Sequence, residues 1–494
     1  MKLKVKDVDI QSGGVFVSIL NEEDARHLDL FALDRIRIKH NKKEIITIVD
    51  IAESKKAVPK GSIGLFEEVL KELNVHGKEI VDIYLADKPH STTLIKEKLD
   101  GKELNENEID IIVKDIVNNN LSEIELTFFV AACYSKGLTD KEALFLTKSI
   151  AKNGTMLDLK RKLILDKHCS GGVPGNRTTM IIVPIIAAAG YTIPKSSSRA
   201  ISSPAGTADT VEVLTNVTLP KDKIEKVVRK TNGCMIWGGG MHLASADDRM
   251  IKVRYSLNLD PAGLLLSSIL AKKVAVGANH LLVDIPVGPA TKIKTMRQAE
   301  NLKTKFVSMC SRLGIKVKVI LTDGSQPIGK GIGPLLEARD VIWVLENDRR
   351  APHDLRDKSI TMAGMLLEMA GEKDGKAKAL EILKSGKAFK KFCEIVKAQG
   401  GRIRSTDKLK PAKYFIDIVS EKKGKVHYID CKSISKIARL AGAPKTQSAG
   451  IYLYKQVGDD VLKGETLFTI YSESKEKLKQ AEEAFAQLNG FVVA

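Results

Sequence analysis

The sequence is poor in several features that would each have marked a class of protein. Six cysteines are scattered through 494 residues with no C-x-x-C pair and no metal-ligand spacing. That excludes a disulfide-stapled scaffold, points to a reducing compartment and offers no structural zinc. Aromatic residues make up only 5%, which is thin for platforms on which bases stack. No apolar run is long enough and free enough of charge to span a bilayer. Met1-Lys2-Leu3-Lys4-Val5-Lys6 lacks the apolar core of a secretory signal and alternates like a strand. A cytoplasmic protein with no membrane partner is expected. Basic residues are in excess, with a formal charge of +18, yet lysines are interleaved with glutamates, as in Lys475-Glu476-Lys477. With no basic arm and no nucleic-acid motif, that charge reads as solubilising, and no nucleic-acid partner is expected. Lysine and glutamate in this abundance are also compatible with a heat-adapted source.

The chain is too long for one core. Residues 1–86 alternate with period two in Arg35-Ile36-Arg37-Ile38-Lys39 and in Ile45-Ile46-Thr47-Ile48-Val49, which predicts a β-rich domain. Residues 87–157 change to helical spacing, with capping patterns at Ser122/Glu125 and Thr139/Glu142. Strands and helices alternate over 158–405, as in an α/β domain, here expected around a mixed sheet. Residues 406–494 return to strands and predict an α+β domain. Within it, Gln456-Val457-Gly458-Asp459-Asp460 has the turn pattern of the tip of a biotinyl or lipoyl sandwich, without a Met-Lys attachment sequence. A packing or assembly role is expected there.

The densest signal is Asp166-Lys167-His168-Cys169-Ser170-Gly171-Gly172-Val173-Pro174-Gly175-Asn176-Arg177. It follows a short strand and precedes the apolar helix candidate Met180–Gly190. Glycines let a backbone approach a ligand, and the first amides of a helix have no partners of their own. With Lys167 and the hydroxyls, the stretch suits a phosphate or another small anion. The plain alternative is a tight turn with a lysine on its rim. It is not the nucleotide P-loop, because no Gly-Lys-Ser/Thr closes it. A second segment, Lys195 to Thr210, has Ser, Thr, Gly or Ala at eleven of sixteen positions. It reads as a flexible loop or as a ligand cradle. Asp260 beside Pro261 fits a helix cap or an acid facing the loops. Lys292 follows the tight loop after Leu281–Val287.

Together these stretches resemble the thymidine/pyrimidine nucleoside phosphorylase family, and more closely its archaeal AMP phosphorylase branch. The resemblance is carried by Lys167 to Gly172, by Ser197, Arg199 and Thr207, by Ala244 to Arg249, by Ser268, Lys272 and Lys273, and by the Asp284-x-x-Val-Gly loop. The N-terminal extension is a feature of that branch. The resemblance implies phosphorolysis of a nucleoside 5′-monophosphate in a cleft between the helical and α/β domains, the helical one taking back residues near 246–276. Orthophosphate would be held by Lys167, Cys169, Ser170, Ser197 and Thr207. AMP would meet Gly172, Ser198, Arg199, Ala200, Ile201, Ser202, Ser203, Thr207, Ser268 and Lys292, with Asp260 as proton donor. No cofactor and no metal are implied, and a homodimer or larger homo-oligomer is. Cys169 stands where the pyrimidine enzymes usually carry a serine, and the Arg254–Asp260 interval is one residue shorter, which argues against pyrimidine recognition. The leading alternative is a thymidine or uridine phosphorylase. A phosphoribosyltransferase of the anthranilate type, using Asp247-Asp248 around magnesium, is a further rival. Arg177 is an additional phosphate-binding candidate on position alone.

Overall fold

The computed structural model describes the whole chain except residues 201–202, 242, 258, 260, 404 and 489. The expected contacts of Ile201, Ser202 and Asp260 therefore lie outside the described residues, as does His242. The chain divides into two compact units, Met1–Gly154 with Ala244–Ile269, and Thr155–Leu243 with Leu270–Ala494. Among the described residues no helix is long and apolar enough to cross a membrane.

The first unit begins with a closed six-stranded barrel in the order Lys2–Asp7, Ser62–Leu65, Val17–Asn21, Lys43–Ala52, Arg35–His40 and Ile80–Leu85. The period-two pattern produces it. Leu3 and Val5 point inward while Lys2 and Lys4 face water, and Ile36, Ile38, Ile63, Leu65, Val81 and Ile83 fill the interior. Helices Ser91–Leu99, Glu106–Val117, Glu123–Ser135 and Asp140–Lys152 follow. Asn105, Ser122 and Thr139 each form a complete capping box with the glutamate three residues on. The last of these has a second duty. Glu142 is fully buried and takes the Lys98 ammonium at 2.6 Å, and the amides of Leu104 and Thr139 at 3.0 and 2.9 Å. Helices Ser245–Leu257 and the first half of Ala262–Ala275 join this unit.

In the second unit the strands Leu165–Cys169, Ile193–Ser197, Gly233–Trp237, His280–Val287 and Lys316–Asp323 form the central layer. His280–Val287 lies between Leu165–Cys169 and Lys316–Asp323, and Ile193–Ser197 pairs with Gly233–Trp237. A bridge between Ile164 and Thr192 joins the two groups. Every one of these pairings is parallel, so the mixed sheet expected from sequence is a parallel one. Each strand returns through a helical crossover rather than a hairpin, which enforces the direction. Helix Thr178–Ala188 is apolar on all sides beyond its first turn and is buried from Thr178 to Ala187. The strand at the glycine stretch spans Leu165–Cys169, so Asp166, Lys167 and His168 lie inside the sheet.

The C-terminal part contains a four-stranded sheet, Gly331–Ile332, Gly450–Leu453, Thr466–Ser472 and Tyr414–Val419, and a three-stranded one, Asp460–Val461, Gly424–Ile429 and Phe491–Val493. Helices Cys431–Leu440 and Lys475–Leu488 pack on the common core of Ile434, Ile437, Phe468, Ile470 and Ala481.

The buried Lys98–Glu142 pair is a sharp stability test. Lys98→Met should cost about 3–5 kcal/mol, because it strands a buried carboxylate. Chemical denaturation followed by circular dichroism would measure it, and adding Glu142→Gln should recover much of the loss.

Candidate active site

In a parallel sheet all strand ends of one polarity meet on one edge. Leu165–Cys169 is followed in sequence by strands on one side of it, whereas His280–Val287 and Lys316–Asp323 lie on the other. The order of the chain therefore reverses between Leu165–Cys169 and His280–Val287. Loops leaving a sheet at such a point diverge and open a crevice for a ligand. Three of the loops singled out in the sequence leave from this edge: 170–177, 198–206 and 288–292.

Their contacts explain the glycines. Gly172 has φ +98, and a Cβ there would stand 2.8 Å from Thr291 Cα, so the loop lies directly on the backbone that leads to Lys292. Gly206 faces the backbone of Arg199, with an added Cβ 2.5 Å from its carbonyl carbon. The amide of Ser170 donates to the Asp284 carbonyl at 2.9 Å, carrying the strand pairing one residue into the loop.

Below the loops is a set of buried charges. Asp166 is fully buried and accepts from the Lys273 ammonium at 2.7 Å, with Lys195 at 3.6 Å. Asp284, also fully buried, accepts from the Thr322 hydroxyl at 2.6 Å and faces Lys358 at 3.1 Å. Lys167 is 2% exposed and donates to the Thr178 hydroxyl at 2.9 Å, at the start of the buried helix. Each carboxylate thus has two lysines beside it, Lys273 and Lys195 for Asp166 and Lys358 and Lys167 for Asp284. Burial pulls against ionisation throughout. It lowers the Lys167 pKa, opposed by Cys169 and Asp284. It takes Lys195 down to about 7, opposed by Asp166 and assisted by Lys273. His168 is held well below its ordinary value by burial and by Lys273, Lys195 and Lys167, and is neutral. Burial works to raise Asp284, but Lys167 and Lys358 outweigh it and keep the carboxylate ionised.

The hydroxyls complete the picture. Ser170 Oγ, Ser196 Oγ and Ser197 Oγ are buried and have no hydrogen-bond partner among the described residues. Buried hydroxyls are ordinarily satisfied, so those of Ser170 and Ser197, at the ends of two neighbouring strands, are candidates to meet an acceptor. Cys169 contributes less. Burial pushes its thiol up to about 11, and its sulfur accepts from the Gly171 amide at 3.4 Å and Asn176 Nδ2 at 3.5 Å.

Arg199 is placed differently from its expected role. Its guanidinium donates to Asp209 at 3.1 Å and to both Glu212 oxygens at 2.5 and 2.6 Å, and lies 4.6 Å from the centre of the Trp237 ring. It is a clamp on the loop rather than a cation facing a phosphate. Asp209 ties both ends of the same loop, accepting from the Ala200 and Gly206 amides at 2.7 and 2.8 Å. Sequence reading missed this use of Asp209 and Glu212, although their spacing from a helix start was a signal. Arg177 is likewise internal. It pairs with Glu337 and donates to the carbonyls of Asn176 and Ala205 at 3.2 and 2.6 Å. Ser203 Oγ donates to the Ala205 carbonyl at 3.0 Å, Thr207 opens the Thr207–Glu212 helix, and Ser198 and Lys292 are exposed. In the other unit Ser268 Oγ donates to Asp247 at 2.7 Å, and Asp247 also faces Arg254 at 3.5 Å. That acid is engaged with protein groups, which weakens the paired-acid reading of Asp247-Asp248. Lys195, Lys273, Asp284 and Lys358 were not foreseen as a group. They come from four elements and share no spacing.

The comparisons with known proteins agree with this architecture. Residues 92–154 match the helical bundle domain of a glycosyl transferase family, residues 161–389 its a/b domain, and residues 425–490 the pyrimidine nucleoside phosphorylase C-terminal domain. The chain is 44% identical to the AMP phosphorylase of Methanocaldococcus jannaschii over 97% of its own length and 95% of that protein. It is 42% identical to that of Methanococcoides burtonii, over 100% and 97%, and 42% identical to that of Thermofilum pendens, over 98% and 93%. A crystal structure of anthranilate phosphoribosyltransferase from Thermus thermophilus superposes with a TM-score of 0.53 at 19% identity, covering 62% of this chain and 98% of that one. At that identity the likeness concerns the fold.

Lys195 gives this site a pH signature. Its ammonium titrates at about 7 in the free protein. A bound dianion favours the protonated form and raises that pKa, so binding just above pH 7 takes up protons. Calorimetric titration with inorganic phosphate in buffers of different ionisation enthalpy should show this uptake, reduced in Lys195→Met relative to the unaltered protein.

Proposed function

The chain belongs to the AMP phosphorylase family, and on that premise we propose that it cleaves AMP with orthophosphate to adenine and ribose 1,5-bisphosphate. CMP and UMP are further substrates in this reading. The observation that carries it is the set of unpartnered buried hydroxyls of Ser170 and Ser197 in the layer that holds the buried lysines around Asp166 and Asp284. Hydroxyl donors and ammonium groups together suit a phosphate dianion.

In the reaction, a phosphate oxygen attacks C1′ of the ribose from the face opposite the base. The C1′–O bond forms as the C1′–N9 bond breaks, and the bonding pair leaves with the base. The transition state has oxocarbenium character, and the phosphate charge that Lys167 and the loop hydroxyls hold lies next to it. Adenine departs poorly as an anion, so a proton delivered to N7 is needed. Asp260, at the matched donor position beside Pro261, is assigned that role. Ser170, Ser197 and Thr207, with Lys167, are assigned to orthophosphate. Cys169 is assigned a minor part in the same set, since a neutral thiol is a weak donor. Gly172, Ser198, Ala200, Ile201, Ser202, Ser203, Ser268 and Lys292 are assigned to AMP. Arg199 enters that set through the loop it braces.

The same reading includes a homodimer or larger homo-oligomer through the helical segment. Ile124, Phe128 and Tyr134 support it, being large apolar side chains more than half exposed on the Glu123–Ser135 helix.

Phosphate-dependent release of base should be measured side by side with AMP, adenosine, CMP, uridine and thymidine. Fast release from AMP with formation of ribose 1,5-bisphosphate is expected, and release from uridine or thymidine alone would replace this function with the nucleoside one. Asp260→Asn should keep phosphate binding and lower turnover by about 10²–10⁴, the usual contribution of a positioned proton donor. Lys292→Ala should impair AMP more than adenosine, since it acts on the 5′-phosphate; equal impairment removes it from that cradle.

A further inference from the structure

The turn Gln456–Asp459 is the one sequence motif that the reaction leaves without a role. It is firmly built. Gly458 has φ +97, and the Gln456 amide donates to the Asp459 carboxylate at 2.8 Å. The Gly458 amide donates to the Val426 carbonyl at 2.8 Å, and the Val426 amide to the Asp459 carbonyl at 2.9 Å. From this rigid base two groups reach away from the C-terminal sheets. Gln456 Nε2 donates to Asp354 Oδ2 at 3.0 Å, and the Val457 amide donates to Gln326 Oε1 at 2.9 Å.

Both acceptors control one loop, 324–331, which leaves the C-terminal edge of the parallel sheet after Lys316–Asp323. Gln326 is part of it. Asp354, in the first turn of the His353–Met369 helix, uses the same Oδ2 to accept the Gly329 amide at 2.9 Å. The far end is fixed by Asp340, which accepts from the Lys330 and Gly331 amides at 2.8 and 2.7 Å. This loop in turn lies on the glycine loop. The Ile328 amide donates to the Pro174 carbonyl at 3.1 Å, and Gly175, with φ +72, packs so closely that a Cβ there would stand 2.1 Å from the Ile328 oxygen.

We propose that the Gln456–Asp459 turn is a positioning element for the phosphate site, with Gln456 and Gln326 as positioning residues acting through the 324–331 loop on Pro174–Gly175. The reason such a brace is needed lies in the sequence of the glycine loop. Gly171, Gly172 and Gly175 all sit at positive φ, and they offer no side chains with which the loop could hold its own shape. Hydroxyls and amides bind an anion tightly only when they are set in place beforehand. A turn that resembles the tip of a swinging-arm carrier here holds a neighbouring loop still. The inference rests on the phosphorolytic reading for its kinetic consequence, but its structural part does not.

Gln456→Ala and, separately, Gln326→Ala should each raise the KM for phosphate about fivefold, the scale of one net hydrogen bond, with kcat and the KM for AMP within about twofold. Hydrogen–deuterium exchange on the full-length protein should show faster exchange at 325–331 and 170–177, with strand 280–287 unchanged. Gln326→Ala leaves the C-terminal turn itself intact, so it guards against a misfolded Gln456→Ala. Exchange confined to 454–460 with an unchanged phosphate KM would overturn the proposal. If the unaltered protein releases no base from AMP while the exchange pattern still spreads to 170–177, the brace stands and the phosphorolytic function falls.

Discussion

The site depends on the parallel pairing of Leu165–Cys169 with His280–Val287. That pairing runs from His280 opposite Leu165 to Asp284 opposite Cys169, and the Ser170 amide extends it by one more bond. It brings Asp166 and Asp284, from segments far apart in the chain, onto neighbouring strands, where the register turns them to opposite faces of the sheet. It also fixes where the chain order reverses. The 170–177 and 288–292 loops leave the sheet there and meet where Gly172 lies on Thr291.

The second constraint is electrostatic. Burying ammonium and carboxylate groups is costly unless each finds a partner. The second unit solves this for Asp166 and Asp284 by setting two lysines beside each. Burial is the main cause of the depressed pKa of Lys195 and of the neutral state of His168, and neighbouring lysines add to it. Arg199 and Arg177 show the opposite strategy. Each guanidinium is matched by carboxylates, Asp209 and Glu212 for one and Glu337 for the other, and each holds loops in register. The arginines thus shape the cradle while the lysines supply its field. Bidentate geometry suits arginine to the first task, and a compact, titratable point charge suits lysine to the second.

Family membership and geometry constrain each other here. The near full-length relatives are AMP phosphorylases, whereas the anthranilate phosphoribosyltransferase matches in fold at 19% identity. What separates the two kinds of protein in this chain is the use of its acids. Asp247 is bound to Ser268 and Arg254. The buried Asp166 and Asp284 are bound to lysines, so none of the three is a bare acid awaiting a metal–pyrophosphate complex. The N-terminal barrel and the C-terminal sheets add further cores, and the latter reach Gln326 and Asp354 through hydrogen bonds.

Local sequence determined a great deal. Period-two alternation specified the inward and outward faces of the barrel strands, and the Ser122/Glu125 and Thr139/Glu142 spacings specified helix starts, because both signals act within a few residues. The glycine stretch after Lys167 and the hydroxyl-rich run after Lys195 were legible as loops following strands for the same reason. The tertiary structure decided the rest. Whether the sheet was parallel or mixed depended on which strands neighboured which, and periodicity does not encode that. Arg199 reads in sequence as a cation among hydroxyls, and only packing against Asp209, Glu212 and Trp237 turned it inward. The lysines around Asp166 and Asp284, namely Lys167, Lys195, Lys273 and Lys358, come from four separate elements, and distance along the chain carries no trace of that grouping.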